Sequence, residues 1–276
     1  MQKTVIEPNG KYLQYWKDVW RYRGLAFNFA KRDITVRYKQ TIIGLGWSVI
    51  SPVINMFILS FVFGTVAKLD SDEGVPYQIM VYAGTIPWTL FSKTLSSTSA
   101  TFFANSALMK KVYFPRIINP IGTAFSSCVD SLISMFILFL LMIPYHYMPG
   151  VKILLFPFFM FLSLLLGFSI GLFLSPYNIK FRDLNQIIPF VLQIGHYITP
   201  VAYSFNVVTN GMSPWLKLIY SLNPAAGVVN AFRWCVVADN EFHWLSFISS
   251  LIFIAVFLPL GIMKFRKGER TFVDLV

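Results

Sequence analysis

Lys93 and Asp130 each stand alone in an apolar stretch, and opposite charges so placed have few things to do. At the centre of a bilayer a charge costs roughly 2.5–3.5 kcal/mol on insertion scales, so it finds a partner or opens onto water. Both lie near the middles of consecutive apolar runs, which puts them at similar depth. One outcome is a Lys93–Asp130 pair. The alternative is that each meets an aqueous lumen, or nearby Ser and Thr, by itself. His196, in QIGHYITPVAY, has none of the neighbouring carboxylates a proton relay would use. Its expected role is packing through a hydrogen bond.

A second group of cations lies nearer the N-terminus. Lys31, Arg32, Arg37 and Lys39 fall within nine residues, with Tyr38 among them, and no charge follows from Gln40 to Ala67. Ahead of this junction Leu13, Trp16, Trp20, Phe27, Ile34 and Tyr38 recur near one helical face. Arg23 interrupts that stripe and Gly24 is a possible break. Tryptophan, tyrosine and cations together favour the cytoplasmic headgroup level. The pattern predicts an amphipathic helix along that interface, turning into the first span. It serves either as a topology anchor or as a collar beside a portal for lipid-attached cargo. In ANSALMKKVYFPRII, Leu108, Met109, Val112 and Tyr113 stand beside Lys110 and Lys111, ahead of Pro115. That is a short helix forming a docking knob for a soluble partner, or an interfacial turn. Trp47, Tyr82, Trp88, Tyr197 and Tyr203 lie in or near apolar runs; such rings can stack on sugar C–H faces or belong to the interfacial belt.

The elements that must position these groups follow from composition. Hydrophobic residues make up 56% of the 276, charged ones 13%, and mean hydropathy is +0.61. A water-soluble domain could not hide so much apolar surface; a multi-pass membrane protein has no need to. Six spans of about 20 or more residues are expected, at 42–67, 78–103, 119–143, 152–175, 186–204 and 244–264. The first follows some forty residues bearing charges and aromatics, so it is expected to be retained as a span and not cleaved as a signal. Gly167 and Gly171 form a GxxxG, the signature of close helix packing. Prolines 52, 87, 157, 189, 200 and 259 are expected to kink their helices. Residues 205–240 are broken by polar positions, and Asn223-Pro224 divides their apolar part into two half-helices that can dip into the bilayer. Eighteen of the 23 lysines and arginines fall in 1–41, 104–118, 176–185 and 264–276. The positive-inside rule makes those segments, and both termini, cytoplasmic. The +11 net charge is then accounted for by topology and anionic lipid, without nucleic acid.

Several chemistries are excluded by what is missing. Cys128 and Cys235 have no paired spacing, and no Cys/His cluster exists, so neither a disulfide framework nor a metal is expected. There is no GxxxxGK[ST] and no carboxylate cluster for Mg²⁺ and pyrophosphate. A membrane enzyme of lipid-linked glycan synthesis is the alternative from another class, and this absence weighs against it.

RDITVRYKQTIIGLGWSVISPVINMFILSFVFG (32–64), KKVYFPRIINP (110–120), NIKFRDLNQIIPFVLQIGHYITPVAYS (178–204), SLNPAAGVVNAFRW (221–234) and FRKGERTFVDLV (265–276) occur in that order. Together they resemble the type-2 ABC transporter permeases that export bacterial polysaccharides, O-antigen permeases above all. The resemblance implies an all-α multi-pass protein of the bacterial inner membrane: a 1–41 segment with the N-terminal amphipathic interfacial helix as gate, a 42–264 domain with six transmembrane helices, and a 265–276 tail. It implies a homodimer, two copies of a separate ATP-binding subunit that holds ATP and Mg, and no cofactor or enzyme activity in this chain. The cargo would be an undecaprenyl-pyrophosphate-linked polysaccharide. Arg32, Arg37, Tyr38 and Lys39 would meet its pyrophosphate, although membrane anchoring explains these cations equally well. Trp47, Tyr82, Trp88, Tyr197 and Tyr203 would line the glycan channel. A coupling helix at about 105–114, with Leu108, Lys110, Lys111, Val112 and Tyr113, would seat in the ATPase. Asn223, Pro224, Gly227 and Arg233 would shape a periplasmic gate of re-entrant helices in 205–240, between spans five and six. Related permeases carry capsular polysaccharide or teichoic acid, and exporters of small molecules have a similar architecture.

Overall fold

The computed structural model describes residues 12–39, 46–71, 74–104, 114–181, 183–209, 211–237 and 241–275. Among the described residues every regular element is helical and no strand occurs. In chain order they are α1 (Tyr12–Arg21), α2 (Arg23–Lys39), α3 (Gly46–Leu59), continued as a π-helical stretch over Ser60–Val66, and α4 (Tyr77–Ser99). Then follow α5 (Thr101–Ala104), α6 (Ile118–Met142), and α7 (Phe156–Lys180) led in by a 3₁₀ turn at Val151–Leu155. The chain goes on with α8 (Leu184–Ile198), α9 (Phe205–Thr209), α10 (Pro214–Ser221), α11 (Pro224–Val236) and α12 (Trp244–Leu275).

Four helical stretches are long and apolar enough to cross a membrane: Gly46–Val66, Ile118–Met142, Val151–Lys180 and Trp244–Glu269. They coincide with the first, third, fourth and sixth expected spans. The other two differ for physical reasons. α4 carries Lys93 and a run of Ser and Thr, because it lies at the centre of the bundle, packed by α7, α6, α11 and α3, with little surface left for lipid. α8 has 15 residues, which at 1.5 Å each gives roughly 22 Å, short of the roughly 30 Å hydrocarbon core.

The GxxxG reading holds. A side chain at Gly167 would strike the Phe91 carbonyl of α4, and one at Gly171 would lie 2.7 Å from Thr98 Cβ. Backbones so close exchange many dispersion contacts. Two of the expected kinks are absent. Pro157 occupies the first turn of α7, where its missing N–H costs nothing. Pro200 follows the end of α8 and helps stop it. The half-helices α10 and α11 part at Leu222–Asn223, where the Asn223 side chain accepts from the Ala225 N–H (3.0 Å) and Pro224 opens α11.

The N-terminal stripe is divided between two helices, α1 and α2, which meet at Tyr22. Trp20 and Phe27 are exposed, and α2 buries Ala26, Phe29 and Ala30 instead. The seat on α6 selects small residues: a Cβ at Gly122 would stand 2.8 Å from the Ala26 carbonyl. Ala26 and Phe29 join Phe102, Phe114, Ile117, Ile118, Leu172 and Phe265 in a second core cluster, apart from the main one around α4.

Candidate functional site

A cleft opens on one side of the bundle where α3, α4 and α8 meet. It has a volume of about 280 Å³ and is lined by Asn55, Trp88, Ser92, Pro189, Leu192, Gln193, His196 and Tyr197. α4 supplies Trp88 and Ser92 one helical turn apart, and α8 supplies Gln193, His196 and Tyr197 in the same way. Gly195 allows the approach: a Cβ there would lie 3.0 Å from Trp88 Cη2. The Trp88 and His196 rings sit 5.6 Å apart, and His196 and Tyr197 are edge-on at 5.6 Å. Trp88 is largely buried and Tyr197 exposed, so Tyr197 offers the ring that can stack on a pyranose face, and the amides, hydroxyl and imidazole beside it can hydrogen-bond the sugar hydroxyls. Sequence reasoning misses Asn55, Ser92 and Gln193. The one signal that marks two of them is an amide side chain inside an apolar run.

Of the five aromatics expected on a glycan path, Trp88 and Tyr197 reach this cleft. Trp47 is exposed elsewhere on α3. Tyr82 and Tyr203 do not line it; both are buried in the core of this chain. Tyr203 has structural work, since its hydroxyl donates to the carbonyls of Tyr197 (2.8 Å) and Ile198 (3.0 Å), which end α8 without helical partners.

Beyond the end of α8, Arg233 of α11 is 1% exposed. Its Nη1 donates to the Tyr203 carbonyl (2.9 Å) and its Nη2 to those of Pro200 and Val201 (2.8 Å each). Asn223 Nδ2 donates to Thr199 Oγ1 (3.0 Å), and Tyr77 of α4 donates to the Ala202 carbonyl (2.6 Å). Residues 199–204 are thus held between α4 and α11 by side chains reading backbone carbonyls. Gly227 brings α11 onto α12, where a Cβ would collide with the Ser246 carbonyl and Ser250 Oγ. Asn223, Gly227 and Arg233 fall together around the α8–α11 connection, with Pro224 at its turn.

The intramembrane charges meet. Lys93 Nζ lies 3.1 Å from Asp130 Oδ2; the aspartate side chain is 6% exposed and the lysine 49%. A buried carboxylate so placed needs a cation, and the half-exposed lysine supplies it without being buried itself.

At the opposite end of the bundle Arg32 pairs with Asp33 (2.8 Å) and lies over the Phe29 ring at 5.2 Å. Lys39 is exposed. The side chains of Arg37 and Tyr38, and the whole of Leu108, Lys110, Lys111, Val112 and Tyr113, lie outside the described residues. Among the described residues no group of three or more potential metal ligands occurs.

Residues 26–237 match the family model described as ABC-2 type transporter. The O-antigen export system permease protein RfbA of Myxococcus xanthus is 23% identical over 218 residues, covering 79% of this chain and 82% of that protein. A protein of the same name from Klebsiella pneumoniae is 24% identical over 247 residues, covering 89% and 92%. The family match spans well over half of the sequence and the helices that build the cleft, so the chain belongs to the ABC-2 type transporter family, as a membrane transport protein and not a catalytic enzyme.

Proposed function

We propose that this chain is the permease subunit of an ATP-driven exporter that moves a lipid-linked polysaccharide, an O-antigen in the first instance, across the bacterial cytoplasmic membrane. The relatives named for O-antigen export support this choice of cargo. The observation that carries it is the cleft of Trp88, Tyr197, Asn55, Gln193 and His196, which is open along one side of a single chain. The neighbouring surface of α8 exposes Phe190, Val191 and Ile194. A second copy applied there would close two half-clefts into one conduit, so the working unit is a homodimer.

In this reading the chain crosses the membrane six times, α4 and α8 included, with both termini cytoplasmic. The segment 105–113, with its two lysines, docks a separate ATP-binding subunit that supplies ATP and Mg. Arg32, Arg37, Tyr38 and Lys39 meet the lipid pyrophosphate at the cytoplasmic portal, where guanidinium forks suit paired phosphate oxygens. The locked loop 199–204 and α11 form the periplasmic exit, with Arg233 as its fastening.

Deleting the gene is expected to leave finished, lipid-linked glycan on the cytoplasmic side of the membrane, measured as shielding of the glycan from antibody in intact spheroplasts. Truncated glycan in its place would contradict an export role and point to synthesis.

A further inference from the structure

We propose that Glu269 is a positioning residue of the transport cycle: it fastens the root of the ATPase-docking segment to the N-terminal helix and to α12, so that load from the partner reaches both. The inference rests on the proposed seating of an ATP-binding partner between Ala104 and Phe114.

Three pieces of chain far apart in sequence converge on this carboxylate. Tyr15 of α1 donates its hydroxyl to Glu269 Oε2 (3.1 Å). Arg116, just beyond the docking segment, donates its backbone N–H to Oε1 (2.9 Å) and Nη1 to the Glu269 carbonyl (3.0 Å). Arg266, one turn earlier on α12, places its guanidinium 4.5 Å from the centre of the Tyr15 ring. Burial, and then the carboxylate beside it, push the Tyr15 phenol well above its usual range, so it stays a proton donor at any physiological pH.

Both roots of the docking segment are also held by rings. Phe102, before it, stacks on Phe265 of α12 with centroids 4.6 Å apart, and Phe114, after it, lies 5.7 Å from Phe29 of α2. Ring contacts resist separation but permit sliding, because dispersion has little directionality. Hydrogen bonds lose strength steeply with angle, so those to Glu269 fix the register of Arg116 and Tyr15 on α12. An apolar residue at 269 would preserve the packing and lose that register. A carboxylate in this half-buried place has a desolvation cost, and the bonds to α1 and to the root of the docking segment are what it gains.

The test uses the full chain assembled with its ATP-binding partner in lipid nanodiscs, with export followed in cells. Glu269→Ala is expected to keep membrane insertion, partner co-purification and ATP turnover within about twofold, while glycan exported per ATP falls about tenfold, the scale of a typical coupling free energy. Tyr15→Phe, which removes one hydroxyl, is expected to lower export per ATP about threefold, the scale of one hydrogen bond. Glu269→Gln should restore most of the loss, since its carbonyl accepts the Arg116 N–H and its amide can pair with the Tyr15 oxygen. Unchanged export per ATP in both Glu269→Ala and Tyr15→Phe overturns the role. Equal losses in Glu269→Ala and Glu269→Gln also overturn it, since they would show a need for charge and not for the bonds. If the unaltered chain binds no ATP-binding partner, the proposed seating fails and this role with it, a result distinct from the other two.

Discussion

Arg233→Ala is expected to cost the folded chain about 3–5 kcal/mol, the largest effect of any single truncation of a polar side chain in the bundle. The side chain donates to three carbonyls, at Pro200, Val201 and Tyr203. Alanine leaves these acceptors facing a void that the surrounding helices cannot close, since Gly84 on α4 is already shaped to the guanidinium: a Cβ there would stand 2.7 Å from Nη2. Arg233→Lys should recover only part of the loss, because one ammonium cannot match a planar fork that serves three carbonyls. Thermal unfolding of the detergent-solubilised chain measures it. Arg233→Ala should melt well below the unaltered protein, with Arg233→Lys between them. A melting point unchanged by either substitution would show that residues 199–204 are held by other contacts.

The second large effect is expected at Gly167. A leucine there must displace the α4 backbone, because even its Cβ collides with the Phe91 carbonyl and lies 3.2 Å from Leu95 N. Overpacking against a side chain typically costs about 1–3 kcal/mol, and here the obstacle is backbone, which cannot turn aside. Gly167→Leu should therefore sharply reduce the yield of folded protein in membranes, read by fluorescence-detected size exclusion. Gly24 is the internal control. It lies in α2, and a Cβ added there would meet nothing within 4 Å, so Gly24→Ala should be neutral or stabilise by up to about 1 kcal/mol. Equal yields from Gly167→Leu and Gly24→Ala would sink the α4–α7 packing account.

How far the sequence discloses this molecule depends on the kind of force involved. Hydropathy finds four membrane-length helices because their lipid-facing sides demand unbroken apolar residues. It describes α4 less well because that helix is surrounded by protein, where hydroxyls can bond back to the carbonyl four residues earlier, as Thr85 does to Val81 (2.8 Å). The Lys93–Asp130 pair is half legible: charge in an apolar run has few outlets, and the structure selects the partner among them. The partners of Arg233 and Glu269 are not. Arg233 reads main-chain carbonyls some 30 residues away, and a carbonyl leaves no mark on the sequence. Glu269 lies in a cation-rich tail that suggests only topology, yet it reaches Tyr15 across 254 positions. The N-terminal stripe does not disclose that two helices meet at Tyr22. The cleft is half legible: Trp88 and Tyr197 stand out as deep aromatics, whereas Asn55 and Gln193 acquire meaning only once the fold brings them to one cleft.

The central claim is that this chain forms a path for a lipid-linked glycan which a separate ATP-binding subunit drives. The most direct measurement places both chains in proteoliposomes with a fluorescent lipid-linked oligosaccharide and follows its shielding from an external glycosidase. The expected result is that shielding begins on ATP addition, requires both chains, and slows when Tyr197 is replaced by alanine. Shielding that proceeds without ATP, or ATP hydrolysis by the assembled pair with no shielding at all, would contradict it.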